Sequence, residues 1–287
     1  ALQVPGKSEM AERGLERVSR TPEARKVKAR AETVSVRFDT PLVMGDFAIL
    51  SAIAIVCILL SHFGFALLRE FRLVGSGAGF SIGLSSRVVA DLAVTVSYVL
   101  ILFSAMQYVL LLLRGDLAWL GWRSKNLFDD LLYGFAVFFG ALVVLGGAVA
   151  LYQAVSYAGN HFFGGSLPQA GRLLSGYVTW EMGKFLNSPP ELSTYVAIAF
   201  IAPLVEEFFF RGMLYSVLRK SIDLVPSLLI SSLLFAAVRL FLFGGGASFF
   251  IGVGSALVYE KRMSLFSAVV FHAFCNLLLL CLFQILV

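Results

Sequence analysis

Tyr195 to Leu218 reads YVAIAFIAPLVEEFFFRGMLYSVL, an apolar run interrupted near its middle by Glu206, Glu207 and Arg211. A charged side chain at a bilayer centre costs about 2.5–3.5 kcal/mol on insertion scales, so such groups turn to the protein interior, pair, and mark function. Whatever chemistry the chain performs is expected to involve this helix. Pro203 just ahead of the carboxylates lacks an N–H for the carbonyl of Ala199, which predicts a kink beside them.

The remaining composition fixes the solvent. With 59% hydrophobic residues, 14% charged residues, 27 Phe and a mean hydropathy of +0.85, the chain has too few polar groups to cover a soluble globule. It reads as an all-α polytopic transmembrane helix bundle whose first surroundings are the lipid bilayer. Spans are predicted at about 47–68, 88–113, 131–156, 192–218, 224–243, 246–259 and 264–287. These make about seven, the sixth short. Gly244 to Gly246 leaves little room between the fifth and sixth, which predicts a tight hairpin or a re-entrant pair.

Residues 1–40 differ in kind, with nine Lys/Arg, six Asp/Glu and Phe38 as the one aromatic. This N-terminal tail cannot bury a core and is expected to be disordered or surface-bound. Residues 41–116 then hold the N-terminal helices and 117–287 the charged, site-bearing domain. Lys and Arg fall mainly on the side of the tail, which places the N-terminus on the cytoplasmic, stromal or matrix face. The net charge of +5 lacks a basic stripe with interleaved aromatics, so no nucleic acid is expected. Cys57, Cys275 and Cys281 lie in apolar runs without paired spacing and read as small hydrophobic residues.

Two loops stand out. Gly115 to Asp130 pairs Trp119 and Trp122 with Arg123 and Lys125, the makeup of an interfacial turn. Ser156 to Glu191 is long enough for a surface helix or lid, and its His161 reads as an exposed loop residue. His62 reads as structural.

Few ionisable groups lie within the spans: Glu206, Glu207, Arg211, Arg239, His272 and Asn276's amide beside them. Glu207 and Arg211 stand four apart, in the order that favours an intrahelical ion pair. Glu206 projects about 100° away from Glu207 and is left to face another helix. One carboxylate thus reads as structural and the other as a working group. His272 and Asn276 share a face, with Asn276 placed to orient the imidazole or to donate to an oxyanion. A zinc site wants three protein ligands with two or more His, which these positions do not supply, so neither metal nor cofactor is expected.

EEFFFR at Glu206 to Arg211 and HAFCN at His272 to Asn276 resemble the EExxxR and HxxxN motifs of the CAAX prenyl protease and bacteriocin-processing family of intramembrane endopeptidases. The segment from Phe249 to Asn276 and the LGWRSKNLFDDLLYG stretch are similar as well. The resemblance covers roughly 117–287. It implies that Glu206 acts as general base, Glu207 and Arg211 as a structural pair, His272 as a water or oxyanion partner and Asn276 as its support. The family's FxxxH motif between them is met here by Phe235 and Arg239, an arginine where histidine is expected. Two carboxylates then face two permanent cations. A guanidinium on Glu206 would occupy its lone pairs and weaken it as a base.

Two functional classes follow. One is a divergent member with lost or reduced peptidase activity, acting as scaffold, subunit or binding protein for a membrane-protein partner. The other is an active CAAX-type endopeptidase that uses Glu206 and His272 to activate water on a peptide substrate. A proton or ion transporter would want paired inverted repeats, which are not seen. The start at Ala1 and the family's presence in plastids suggest an organelle membrane such as that of the chloroplast, with a bacterial inner membrane as the alternative.

Overall fold

The structure is a computed structural model that describes residues 42–70, 86–112, 117–122, 126–163, 172–173, 176, 190–243 and 246–286. The tail predicted over 1–40 and most of the loop before Glu191 lie outside the described residues. Among the described residues there are seven long helices and no strand. They are α1 (Met44–Glu70), α2 (Ser86–Gln107, prolonged by a π turn over Tyr108–Leu112), α3 (Leu127–Phe163), α4 (Leu192–Ser221), α5 (Leu224–Phe243), α6 (Gly246–Arg262) and α7 (Leu265–Leu286). Five of these, α1 to α4 and α7, are long and apolar enough to cross a bilayer. The predicted seven spans therefore become seven helices with five full-length candidates. The protein is an integral membrane helix bundle.

Local chemistry explains the helix ends. At the start of α3, the Asn126 side chain donates to Asp129 Oδ2 at 2.6 Å and accepts the Asp129 N–H at 3.4 Å. That is an N-cap closed by the third residue of the helix, with Asp129 and Asp130 favoured by the helix dipole there. α3 then runs for 37 residues, roughly 55 Å at 1.5 Å per residue, against a hydrocarbon core of about 30 Å. It therefore continues past the predicted loop start and carries His161, whose ring stacks on Tyr157 at 5.9 Å, one turn before. His161 is exposed, as expected, but on a helix rather than a loop.

The segment read as an interfacial turn is instead partly an internal wedge. After a short 3-10 turn over Leu117–Leu120, Trp122 packs edge-on to Phe208 (5.9 Å) and against Phe266 (5.7 Å), while Trp119 stays at the surface. Gly121 makes this possible. Its φ of 76° is left-handed, and a Cβ there would stand 2.7 Å from the Tyr259 ring. The Gly121 carbonyl accepts the Leu265 N–H at 2.9 Å, buttressing the α6–α7 turn, where Met263 has a positive φ of 51°.

The core gathers around α4. Phe208, Met213, Leu214 and Tyr215 from α4, Phe235 from α5, Tyr259 from α6 and Leu265 and Phe271 from α7 are all buried in one cluster. At one end of α4, Asp91 of α2 accepts from Ser193 (2.6 Å) and Thr194 (2.7 Å). At the other, Arg219 and Tyr215 converge on Glu260 of α6, and Arg262 pairs with Asp130 of α3. Polar clasps at both ends thus hold α4 against α2 and α6, and its charged middle lies between them.

Candidate functional site

α4 is not a uniform α-helix. Tyr195–Ile201 and Phe208–Tyr215 are π-wound, and only Ala202–Glu207 between them has α geometry. Wider π turns recur at functional sites, and here they flank the two glutamates. Pro203 stands just inside the α turn, where the first π-wound stretch changes register. In i→i+5 winding, Ala202 N–H reaches Ala197 O, so the next carbonyl, of Ile198, would call on Pro203, which has no N–H. Asn276 supplies the missing donor: its Nδ2 stands 2.9 Å from Ile198 O. The orphaned group is thus the Ile198 carbonyl rather than that of Ala199. Asn276 is committed to the α4 backbone and makes no hydrogen bond to His272.

The α turn sends its two carboxylates in different directions. Glu207 faces inward with no exposure; its Oε1 lies 3.0 Å from Arg211 Nη1, one turn on, and 2.7 Å from His272 Nδ1. Arg211 in turn donates from Nη2 to the Gly252 carbonyl of α6 at 2.8 Å and stands 4.6 Å over the Phe235 ring. Gly252 also lets α6 pack closely on α5, since a Cβ there would press on Ser232 at 3.1 Å. Glu206 turns toward α2 and α5, where Oε1 accepts from the Tyr98 hydroxyl at 2.9 Å and Oε2 from Arg239 Nη1 at 3.1 Å.

Arg239 also reaches His272. Its Nη1 is 2.8 Å from His272 Nε2 and 3.5 Å from Asn276 Oδ1, the last at the outer limit of a hydrogen bond. A guanidinium can only donate, so Nε2 accepts, the imidazole proton sits on Nδ1, and Nδ1–H donates to Glu207. His272 is therefore neutral in this arrangement. A continuous chain results: Tyr98, Glu206, Arg239, His272, Glu207, Arg211, Gly252. Two carboxylates balance two guanidiniums inside a membrane span, which avoids an uncompensated buried charge. His272 Nε2 and Glu206 Oε2 are 3.6 Å apart, and the same Arg239 nitrogen touches both.

All six residues singled out from the sequence (Glu206, Glu207, Arg211, Arg239, His272, Asn276) meet in this cluster. The Glu207–His272 contact, the Tyr98 hydroxyl and the Ile198 carbonyl were not anticipated. Tyr98 left a faint signal, a hydroxyl amid the apolar run of α2. The other two depend on the π register, which leaves no mark in residue spacing. Among the described residues, no group of three or more His, Cys, Asp or Glu is arranged to hold a metal ion.

A cavity of about 560 Å³ opens beside the cluster, between α1, α2, α4 and α5. Tyr98, Glu206 and Arg239 form its polar wall and aliphatic and aromatic side chains most of the rest. Glu207, His272 and Asn276 do not line it.

Residues 188–278, from just before α4 to the middle of α7, match the family model described as Type II CAAX prenyl endopeptidase Rce1-like. Comparison with curated proteins and with solved structures gives no match.

Proposed function

We propose that this CAAX-prenyl-endopeptidase-like membrane domain has lost or greatly reduced hydrolytic activity and acts by binding, as a scaffold or subunit for another membrane protein. One observation carries the reading: a single Arg239 nitrogen contacts both Glu206 Oε2 (3.1 Å) and His272 Nε2 (2.8 Å). In the resembled mechanism a water stands between a carboxylate base and a histidine. Here a cation that does not deprotonate holds both acceptors, so the Glu206 oxygen and the imidazole lone pair that would take up that water are both engaged. The charged tail over 1–40 offers a handle for a partner. An organelle membrane is the setting we propose, and immunodetection of the native protein in fractionated organelle and other cell membranes tests it.

The alternative, an active endopeptidase, is supported by the Glu207–His272 contact, which orients the imidazole so that Nε2 faces Glu206. Were Arg239 to swing away, the two groups would face one another. Reconstituted protein and a fluorogenic prenylated CAAX peptide separate the readings. The wild type is expected to give no turnover above a Glu206→Gln control, and Arg239→His to raise turnover at least about tenfold, roughly 1.4 kcal/mol of barrier. Wild-type turnover abolished by Glu206→Gln would overturn the binding reading in favour of the peptidase.

A further inference from the structure

The cavity beside Glu206 is built largely from parts outside the matched segment. Phe47, Ala54 and Ile58 of α1 and Val94, Ser97 and Tyr98 of α2 form one half of it, against α4 and α5. Its volume of about 560 Å³ falls in the range of small-molecule sites, about 300–1,000 Å³. Ile55 of α1 and Leu234 and Val238 of α5 line it and are 42–59% exposed, so the cavity opens on the lipid-facing outside of the bundle. A ligand would therefore enter from the bilayer.

The polar wall sets the kind of head group. Glu206 and Arg239 cancel one another across 3.1 Å, so the wall carries no net charge to attract an ionic ligand. An ammonium head would meet the Arg239 guanidinium, and a carboxylate head would meet Glu206. Each carboxylate oxygen retains acceptor capacity beyond its single partner, Tyr98 on Oε1 and Arg239 on Oε2. A neutral O–H donor is the match. Ser51 and Ser97, the other hydroxyls on the wall, already donate to the Phe47 and Ala93 carbonyls, at 2.8 Å and 2.7 Å. The remaining surface suits a hydrocarbon chain. His272 (0% exposed) lies behind Arg239, away from the cavity, so a molecule bound here touches only one of the two groups that hydrolysis would need.

We infer that the cavity between α1, α2, α4 and α5 is a binding site for an uncharged, hydroxyl-bearing single-chain lipid, held by Glu206 and Tyr98 and not cleaved. The inference rests on the non-hydrolytic reading of the site above, and adds to it a lipid ligand beside the protein partner.

The test uses the full chain in nanodiscs and three probes with one C16 chain and one mid-chain diazirine: hexadecanol, palmitic acid and hexadecylamine analogues. After irradiation and digestion, the hexadecanol probe is expected to label α1, α2 and α4 peptides that line the cavity about tenfold above the exposed face of α3. Excess unlabelled hexadecanol should remove that label, and the acid and amine probes should give several-fold less. Ala54→Phe and Val94→Phe, which fill the cavity, should each abolish the cavity label while the thermal melt is kept. Should both variants misfold, competition on the wild type and the three-probe ranking still decide. Equal labelling of cavity and α3, or equal labelling by all three probes, would overturn the site. Peptide turnover by the wild type would sink the binding reading and leave the labelling result standing, so the two failures are distinguishable.

Discussion

α3 and α4 are both long and apolar, and hydropathy alone would not tell them apart. In the structure 61% of an 18-residue stretch of α4 is buried, against 11% of one in α3. α3 shows Val143, Val144, Leu151 and Phe162 outward, at 67–75% exposure. α4 buries every residue from Val205 to Val217. In water, apolar content would decide which helix goes inside. In a bilayer lipid solvates apolar side chains as well as protein does, so that driving force is missing. What sends α4 inside is its polar content: Glu206, Glu207 and Arg211 in the middle, and the Ser193–Thr194 and Arg219 clasps at its ends. The difference teaches that, in this chain, charge marks the core and hydrophobicity marks the surface.

The sharpest way to break the contrast is to remove the cation at its centre. Arg211→Ala would leave Glu207, fully buried, facing only the His272 Nδ1–H, and would free the Gly252 carbonyl of α6. Breaking one side of a buried pair costs about 3–5 kcal/mol. Little folded protein is therefore expected in detergent, measured by size-exclusion profile and thermal melt. A monodisperse variant with an unchanged melt would mean that the α4 charges do not hold the bundle together.

Next in size is the Glu206–Arg239 pair, probed as a cycle. Arg239→Leu alone strands a buried carboxylate with Tyr98 as its one remaining hydrogen-bond donor, and Glu206→Gln alone leaves an uncompensated guanidinium. The double variant removes both charges together. Each single change is expected to lower stability and the double to recover part of the loss, with a coupling of about 0.5–3 kcal/mol. Denaturant unfolding in micelles reads the four corners. Strict additivity would mean that the two groups do not share the ion pair on which the binding reading depends.

How much of this was legible follows from the same contrast. The positions of all seven helices were readable because apolar runs of sufficient length are rare by chance, and the six site residues because charge inside such a run is rarer still. Register was not readable. The π winding of Tyr195–Ile201 moves the orphaned carbonyl from Ala199 to Ile198, and with it the partner of Asn276 from imidazole to backbone. Spacing four apart on α7 said that His272 and Asn276 share a face, but not what that face meets. Trp122 beside Arg123 had the makeup of an interfacial residue, and its inward turn depends on Gly121, whose left-handed backbone is set by contact with Tyr259 and the α6–α7 turn. α5 and α6 were placed correctly as a close pair, yet whether either crosses the bilayer fully is a matter of depth that composition does not fix.

The smallest expected effect lies on α3, and it is where the contrast is tested from its quiet side. Val144 is 73% exposed on a helix whose outer face meets lipid, and no neighbour stands within 4 Å of where a Cβ would sit on Gly146 or Gly147. Val144→Leu keeps the residue apolar, removes no packing partner and relieves a β-branch in a helix, so the change should stay within about 0.5 kcal/mol. Val144→Asp at the same place should behave quite differently. Lipid cannot solvate the carboxylate, and insertion scales put such a residue at about 2.5–3.5 kcal/mol when central in the span. The pair of substitutions therefore reads the surroundings of α3 rather than its packing, through membrane-insertion yield and thermal melt side by side. If Val144→Leu destabilises as much as a core change, α3 carries a partner on that face, and its exposure belongs to a subunit separated from its complex.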